Sequence, residues 1–131
     1  MSHTEKKLSP LEWEVMNGIW DLGGKPSVRD VASYLYPNGE KAYTTVQTVM
    51  NNLVEKGYLK REKIGLVNFY KPTRKRETMI EKATETFVER VFGGSFQALA
   101  NYLVRSDSLT KEEINELKKI LEQKAKEKNH D

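Results

Sequence analysis

"TTVQTVMNNLVEKGYLKREKIGLVNFYKP", Thr44 to Pro72, carries two different periods in succession. In its first part Val46, Val49, Met50 and Leu53, with Val54 beside them, recur at helical spacing, and Gly57 supplies the residue that ends a helix. Thr44 or Thr45 is the expected N-cap. In its second part apolar and polar residues alternate over Tyr58–Lys63 and Val67–Lys71 around Gly65, the pattern of a β-hairpin. Two strands alone are marginally stable, so this hairpin must lean on the helices before it.

The outer face of that helix collects Thr45, Thr48, Asn52 and Glu55, with Gln47 and Asn51 at its flanks. A merely solvated face would be expected to carry Glu and Lys pairs four residues apart. Thr, Gln and Asn are poorer helix formers but competent donors and acceptors toward base edges. Thr44, Thr45, Gln47, Thr48 and Asn51 are therefore the expected base-reading residues. The net charge of +3 says little by itself, yet from Lys56 to Arg76 eight Lys or Arg face the single acid Glu62. Lys41, Lys56, Lys60, Arg61, Lys63 and Lys71 are expected to neutralise phosphates.

Upstream, "LSPLEWEVMNGIWDLGG" predicts a helix with Ser9 as N-cap, Pro10 at its first position and Glu12 completing a capping box. Leu11, Val15, Ile19 and Leu22, with Met16 and Trp20, form its apolar face, and Trp13 falls off that face. A shorter helix follows in "SVRDVASYLYP", where Ser27 and Asp30 repeat the cap spacing. Three helices and then a hairpin is the winged helix-turn-helix order, in which the helix after the turn enters the major groove. Residues 1–72 are read as a DNA-binding domain of this kind.

Downstream, the polar link "KPTRKRET" opens a second part, residues 73–131, with twelve basic and eleven acidic side chains after Pro72. Ile80, Ala83, Phe87 and Val91 recur at helical spacing before Gly93-Gly94, and Phe96, Leu99, Leu103 and Val104 make a second stripe. Thr110 with Glu113 opens a last helix whose seam is Ile114, Leu117, Ile120 and Leu121. Three helices in under about 60 residues enclose little core, and a second copy would supply what is lacking. Ile80, Phe87, Val91, Phe96, Leu99, Leu103, Ile114, Leu117 and Leu121 are the expected dimerisation residues. The whole is read as mostly α with one small β-hairpin, a winged helix-turn-helix followed by a three-helix dimerisation domain. A two-fold dimer would require a palindromic site on double-stranded DNA.

Zero cysteines exclude a disulfide framework and thiolate metal sites, and "MSHTEKKLSP" lacks the apolar core of a signal peptide. No apolar run approaches ~20 residues, so membrane insertion is not expected and the location read is cytoplasmic. His3 and His130 stand at opposite ends of the chain, where a packed catalytic or metal-binding pocket is not expected. Neither a metal, a cofactor nor an enzyme is expected, and the adjacent Glu112 and Glu113 suit the first turn of a helix. The competing reading is a winged-helix module that binds protein and not DNA, which an acidic outer face would have favoured; only Glu55 is there.

"LSPLEWEVMNGIW", "TTVQTVMNNLVEKGYLKRE", "GLVNFYKP" and "FGGSFQALANYLVRSDSLTKEEINELKKILEQ" together resemble the penicillinase-repressor family of BlaI and MecI type, from Leu8 to about Glu122. The resemblance implies a homodimeric repressor on a palindromic operator of resistance genes. It implies release through a membrane sensor-linked protease that cuts the C-terminal region, at a pair matching Asn101 and Tyr102 where the family has Asn and Phe. Leu66 follows the wing glycine where members often carry Arg. A copper-responsive relative has a Cys-rich tail, which this chain lacks.

Overall fold

A computed structural model describes residues 6–129, so His3 and His130 lie outside the described residues. The Ser9 hydroxyl accepts from the Glu12 N–H at 3.1 Å while the Glu12 carboxylate accepts from the Ser9 N–H at 2.8 Å, and this box starts α1, Pro10–Leu22. The same exchange between Ser27 and Asp30 starts α2, Val28–Leu35. Helix α3, Tyr43–Glu55, begins differently. Its N-cap is Ala42, with no side-chain cap, so the expected capping by Thr44 or Thr45 is corrected. Both threonines lie in the first turn and are exposed. Strands β1, Leu59–Ile64, and β2, Val67–Pro72, pair antiparallel, and Gly65 at φ 65° makes the tight turn between them.

The chain divides into two compact units, the first ending at Ile80 and the second beginning at Glu81. In the first, Val15, Met16 and Ile19 of α1, Val28 and Val31 of α2, and Val46, Met50 and Leu53 of α3 pack with Tyr58, Leu59 and Tyr70 of the hairpin. Leu22, expected in this core, is at the surface, while Trp13 packs beside it with its ring 6.4 Å from Trp20. Gly18 lets α1 and α2 approach, since a Cβ there would meet the Leu35 side chain at 2.7 Å. The Tyr70 N–H donates to the Pro26 carbonyl, and Ser27 bridges Phe69, so the segment before α2 borders the hairpin.

Helix α4, Arg76–Phe92, crosses the division between the units. Met79 reaches the core of the first unit, Arg76 donates to Asp21 and to the Asn17 carbonyl at 2.6 Å, and Trp20 donates to the Arg74 carbonyl. These contacts carry the first unit beyond Pro72, the boundary read from composition. From Glu81 on, α4 is followed by α5, Phe96–Arg105, and α6, Lys111–Lys128. Thr110 and Glu113 form the expected box at the start of α6. Phe92 stacks edge-on with Phe87 and contacts Tyr102. Among the described residues of this unit only Val88 is buried, and neither α5 nor α6 buries any.

Candidate nucleic-acid interface

Helix α3 turns its apolar residues inward, which leaves Thr44, Thr45, Thr48, Asn52 and Glu55 exposed and Gln47 and Asn51 half-buried. Asn51 marks the place where the hairpin meets the helix. In β1 and β2 successive side chains alternate between faces, so the register puts Arg61 and Lys63 on one face with Tyr70 and Asn68. That face leans on α3: Arg61 Nη1 donates to Asn51 Oδ1 at 2.8 Å, and the Tyr70 hydroxyl donates to the same oxygen at 2.9 Å. Burial pushes the Tyr70 hydroxyl up from its ordinary pKa of 10.0, with Arg61 opposing, so it is a protonated donor at neutral pH.

The other face of the hairpin carries Lys60, Glu62 and Ile64 against Lys71, Phe69 and Val67. Lys60 stands directly opposite Lys71, an unfavourable pairing of like charges that an anion between them would relieve. Glu62, the single acid of the segment, is matched by Lys25 at 2.9 Å, and that ammonium holds its carboxyl below the ordinary glutamate value of 4.5. At the tip Leu66 is 96% exposed, between Ile64 and Val67, which are also exposed. The wing therefore presents a cationic body and an apolar tip.

Of the six cations expected to meet phosphate, Lys41, Lys60, Lys63 and Lys71 are exposed and make no hydrogen bond among the described residues. Arg61 is exposed but tied to Asn51. Lys56 is engaged within the fold: its ammonium donates to Glu12 at 2.6 Å and to the Lys7 carbonyl at 2.9 Å. Burial pushes the Glu12 carboxyl up, but hydrogen bonds from Lys56 and from the Ser9 N–H outweigh it and hold the group below 4.5. Arg74 and Arg76, counted in the basic segment, face inward instead: Arg74 lies over the Tyr58 ring at 4.9 Å and Arg76 over Trp20 at 5.4 Å.

Tyr70 was not among the expected interface residues. A Tyr in an alternating strand reads as core, and its ring is indeed buried; the signal for more is that a buried hydroxyl needs a partner. Among the described residues no group of His, Cys, Asp and Glu could hold a metal ion. No helix is long and apolar enough to cross a membrane.

The model of the penicillinase repressor family matches residues 8–123, which spans both units. The chain belongs to the penicillinase repressor family. That family is one of transcriptional repressors and not of enzymes. The chain is similar to the penicillinase repressor of Bacillus licheniformis, 32% identical over 117 residues, covering 89% of this chain and 91% of the relative. It is 30% identical over 123 residues to the penicillinase repressor of Staphylococcus aureus, covering 92% and 95%. It is 27% identical over 124 residues to the methicillin resistance regulatory protein MecI of Mammaliicoccus sciuri, covering 95% and 100%. Among solved structures, a MarR family protein of Bacillus stearothermophilus aligns with a TM-score of 0.53 at 19% identity, over 95% of this chain and 77% of that one. This likeness speaks to the fold alone, and the fold is a winged helix-turn-helix.

Proposed function

We propose that this chain is a homodimeric, cytoplasmic transcriptional repressor that binds a palindromic operator, reads it with α3 and silences genes of the antibiotic-resistance type. The observation that carries the reading is the exposed, almost uncharged Thr, Gln and Asn face of α3 bordered by a cationic hairpin. Thr44, Thr45, Gln47, Thr48 and Asn51 would meet bases, while Lys41, Lys60, Lys63 and Lys71 would meet phosphates, with Arg61 beside them. Lys56 keeps at most one ammonium N–H for phosphate once Glu12 and Lys7 are served.

Dimerisation through the second unit is supported by the apolar residues that it leaves in water. Phe87, Val91, Phe96, Leu103, Ile114, Leu117 and Leu121 are all more than a third exposed, Leu99 is half-buried, and Ile80, the last residue of the first unit, is exposed as well. Covering such a surface with a second copy removes apolar area from water on both sides.

Relief of repression would come from cleavage between Asn101 and Tyr102 by a membrane sensor-linked protease. Both residues are exposed, but both lie inside α5, and the Tyr102 carbonyl accepts from the Ser106 N–H at 2.9 Å. A helical bond does not fit an extended protease cleft, so α5 must open locally before cutting.

The test is selection of duplexes from a random pool by the full chain at near-physiological salt. A two-fold symmetric motif with half-sites about one turn (~34 Å) or a multiple apart is the expected result. Enrichment of nothing by folded protein would replace this reading with a winged helix that binds protein.

A further inference from the structure

Asn51 Oδ1 accepts two hydrogen bonds, from the Arg61 guanidinium and from the Tyr70 hydroxyl. An amide oxygen has two lone pairs, so both are spent. The orientation of the amide is fixed by chemistry, because a guanidinium only donates and a flipped amide would set its NH2 against Nη1. The Nδ2 group is therefore turned away from Arg61 and Tyr70, and it has no acceptor among the described residues. Asn51, half-buried, stands one turn after the exposed Thr48 on α3, at the crease where the hairpin meets the helix.

An unconstrained Asn reads adenine by donating to N7 and accepting from the N6 amino group. Here the accepting half of that pair is closed by the protein itself. We infer that Asn51 is a donor-only reader, which favours guanine, whose major-groove edge offers the two acceptors N7 and O6, over adenine and thymine, which offer one acceptor each, and rejects cytosine, whose edge offers the N4 donor. Tyr70 and Arg61 act as positioning residues: they touch no base through this contact, yet they decide what Asn51 recognises. This inference rests on α3 reading DNA as proposed above.

The experiment repeats the selection with the full chain and with two variants. The wild-type motif is expected to carry guanine at one position of each half-site. Asn51→Asp keeps the shape and both internal hydrogen bonds but turns an acceptor outward, so that one position should shift by at least ~10-fold from guanine to cytosine while the others hold. Tyr70→Phe leaves Oδ1 a free lone pair, and adenine should rise to within a few-fold of guanine at the same position, an effect that a purely structural Tyr70 would not have. A motif whose every position survives Asn51→Asp unchanged overturns the inference, as does a wild-type position that requires adenine and loses it in Asn51→Asp. Should Asn51→Asp not fold, the Tyr70→Phe motif decides alone: unchanged, it overturns the inference. Failure of the wild-type chain to enrich any motif overturns instead the DNA-binding reading on which this one rests.

Discussion

Lys56 Nζ stands 2.6 Å from Glu12 Oε1, which ties the end of α3 to the first turn of α1 through a carboxylate that is 6% exposed. The same carboxylate receives the Ser9 N–H, so one acid serves a helix cap and a link between helices. Removing the lysine would leave a buried charge with only its cap.

Lys56→Met should therefore cost about 2 kcal/mol of stability, the range for losing a hydrogen bond to a charged group. Because the Glu12 pKa is lowered on folding, its contribution is present above the unfolded value near 4.5 and is lost as pH falls through the lower folded value. Urea midpoints measured from neutral pH down to about 3 should fall in the native chain below 4.5, with a weaker fall in Lys56→Met. Equal acid limbs in the two proteins would show that the pair does not set acid stability.

Phosphate and base contacts separate by how they fail. Lys60→Ala should weaken all duplexes alike and lower the slope of log affinity against log salt by about 1, whereas Gln47→Ala should relax sequence choice at one position. Uniform loss from both, measured on a panel of operator variants, would show that α3 does not read bases.

A fragment ending at Ile80 should fold with a midpoint well above one ending at Pro72. The shorter piece lacks Met79, the Arg76–Asp21 pair and the Trp20 contact to Arg74. Met79→Ala in the full chain should lose about 2 kcal/mol, at the low end for a buried methionine that lies at the edge of a core. Equal thermal midpoints of the two fragments would contradict this.

Ser95 caps α5 by accepting the Ala98 N–H at 3.0 Å. Ser95→Ala should cost about 1 kcal/mol of helix stability, which raises the open population, and with it the rate of proteolysis at Asn101–Tyr102, roughly 5-fold. Digestion followed by mass spectrometry reads this directly; an unchanged rate would mean that opening of α5 does not limit access.

The local signals of the fold were legible. Ser9, Ser27 and Thr110 start their helices as the cap spacing predicts, and the alternation around Gly65 marks the hairpin within a residue or two. What was not legible depends on contacts between residues far apart in sequence. Lys56 has the composition of a phosphate contact, but Glu12, forty-four positions away, claims it. Arg74 and Arg76 look like part of a cationic surface until Trp20, Tyr58 and Asp21 are seen beneath them. The start of α3 misled for another reason: Ala42 has no side chain to cap with, and only backbone geometry shows that the helix begins there.

If a second copy covers it, the bare second unit makes the fold a matter of abundance. Helices α5 and α6 bury none of their residues in a single chain, so on the dimeric reading their order is set by mass action, and thermal midpoints should climb with protein concentration. In a cell with few copies, more of the chains at any instant would stand single, with α5 less supported and the Asn101–Tyr102 bond more often open. Scarcity and destruction would then reinforce each other, turning a gradual fall in repressor number into an abrupt one.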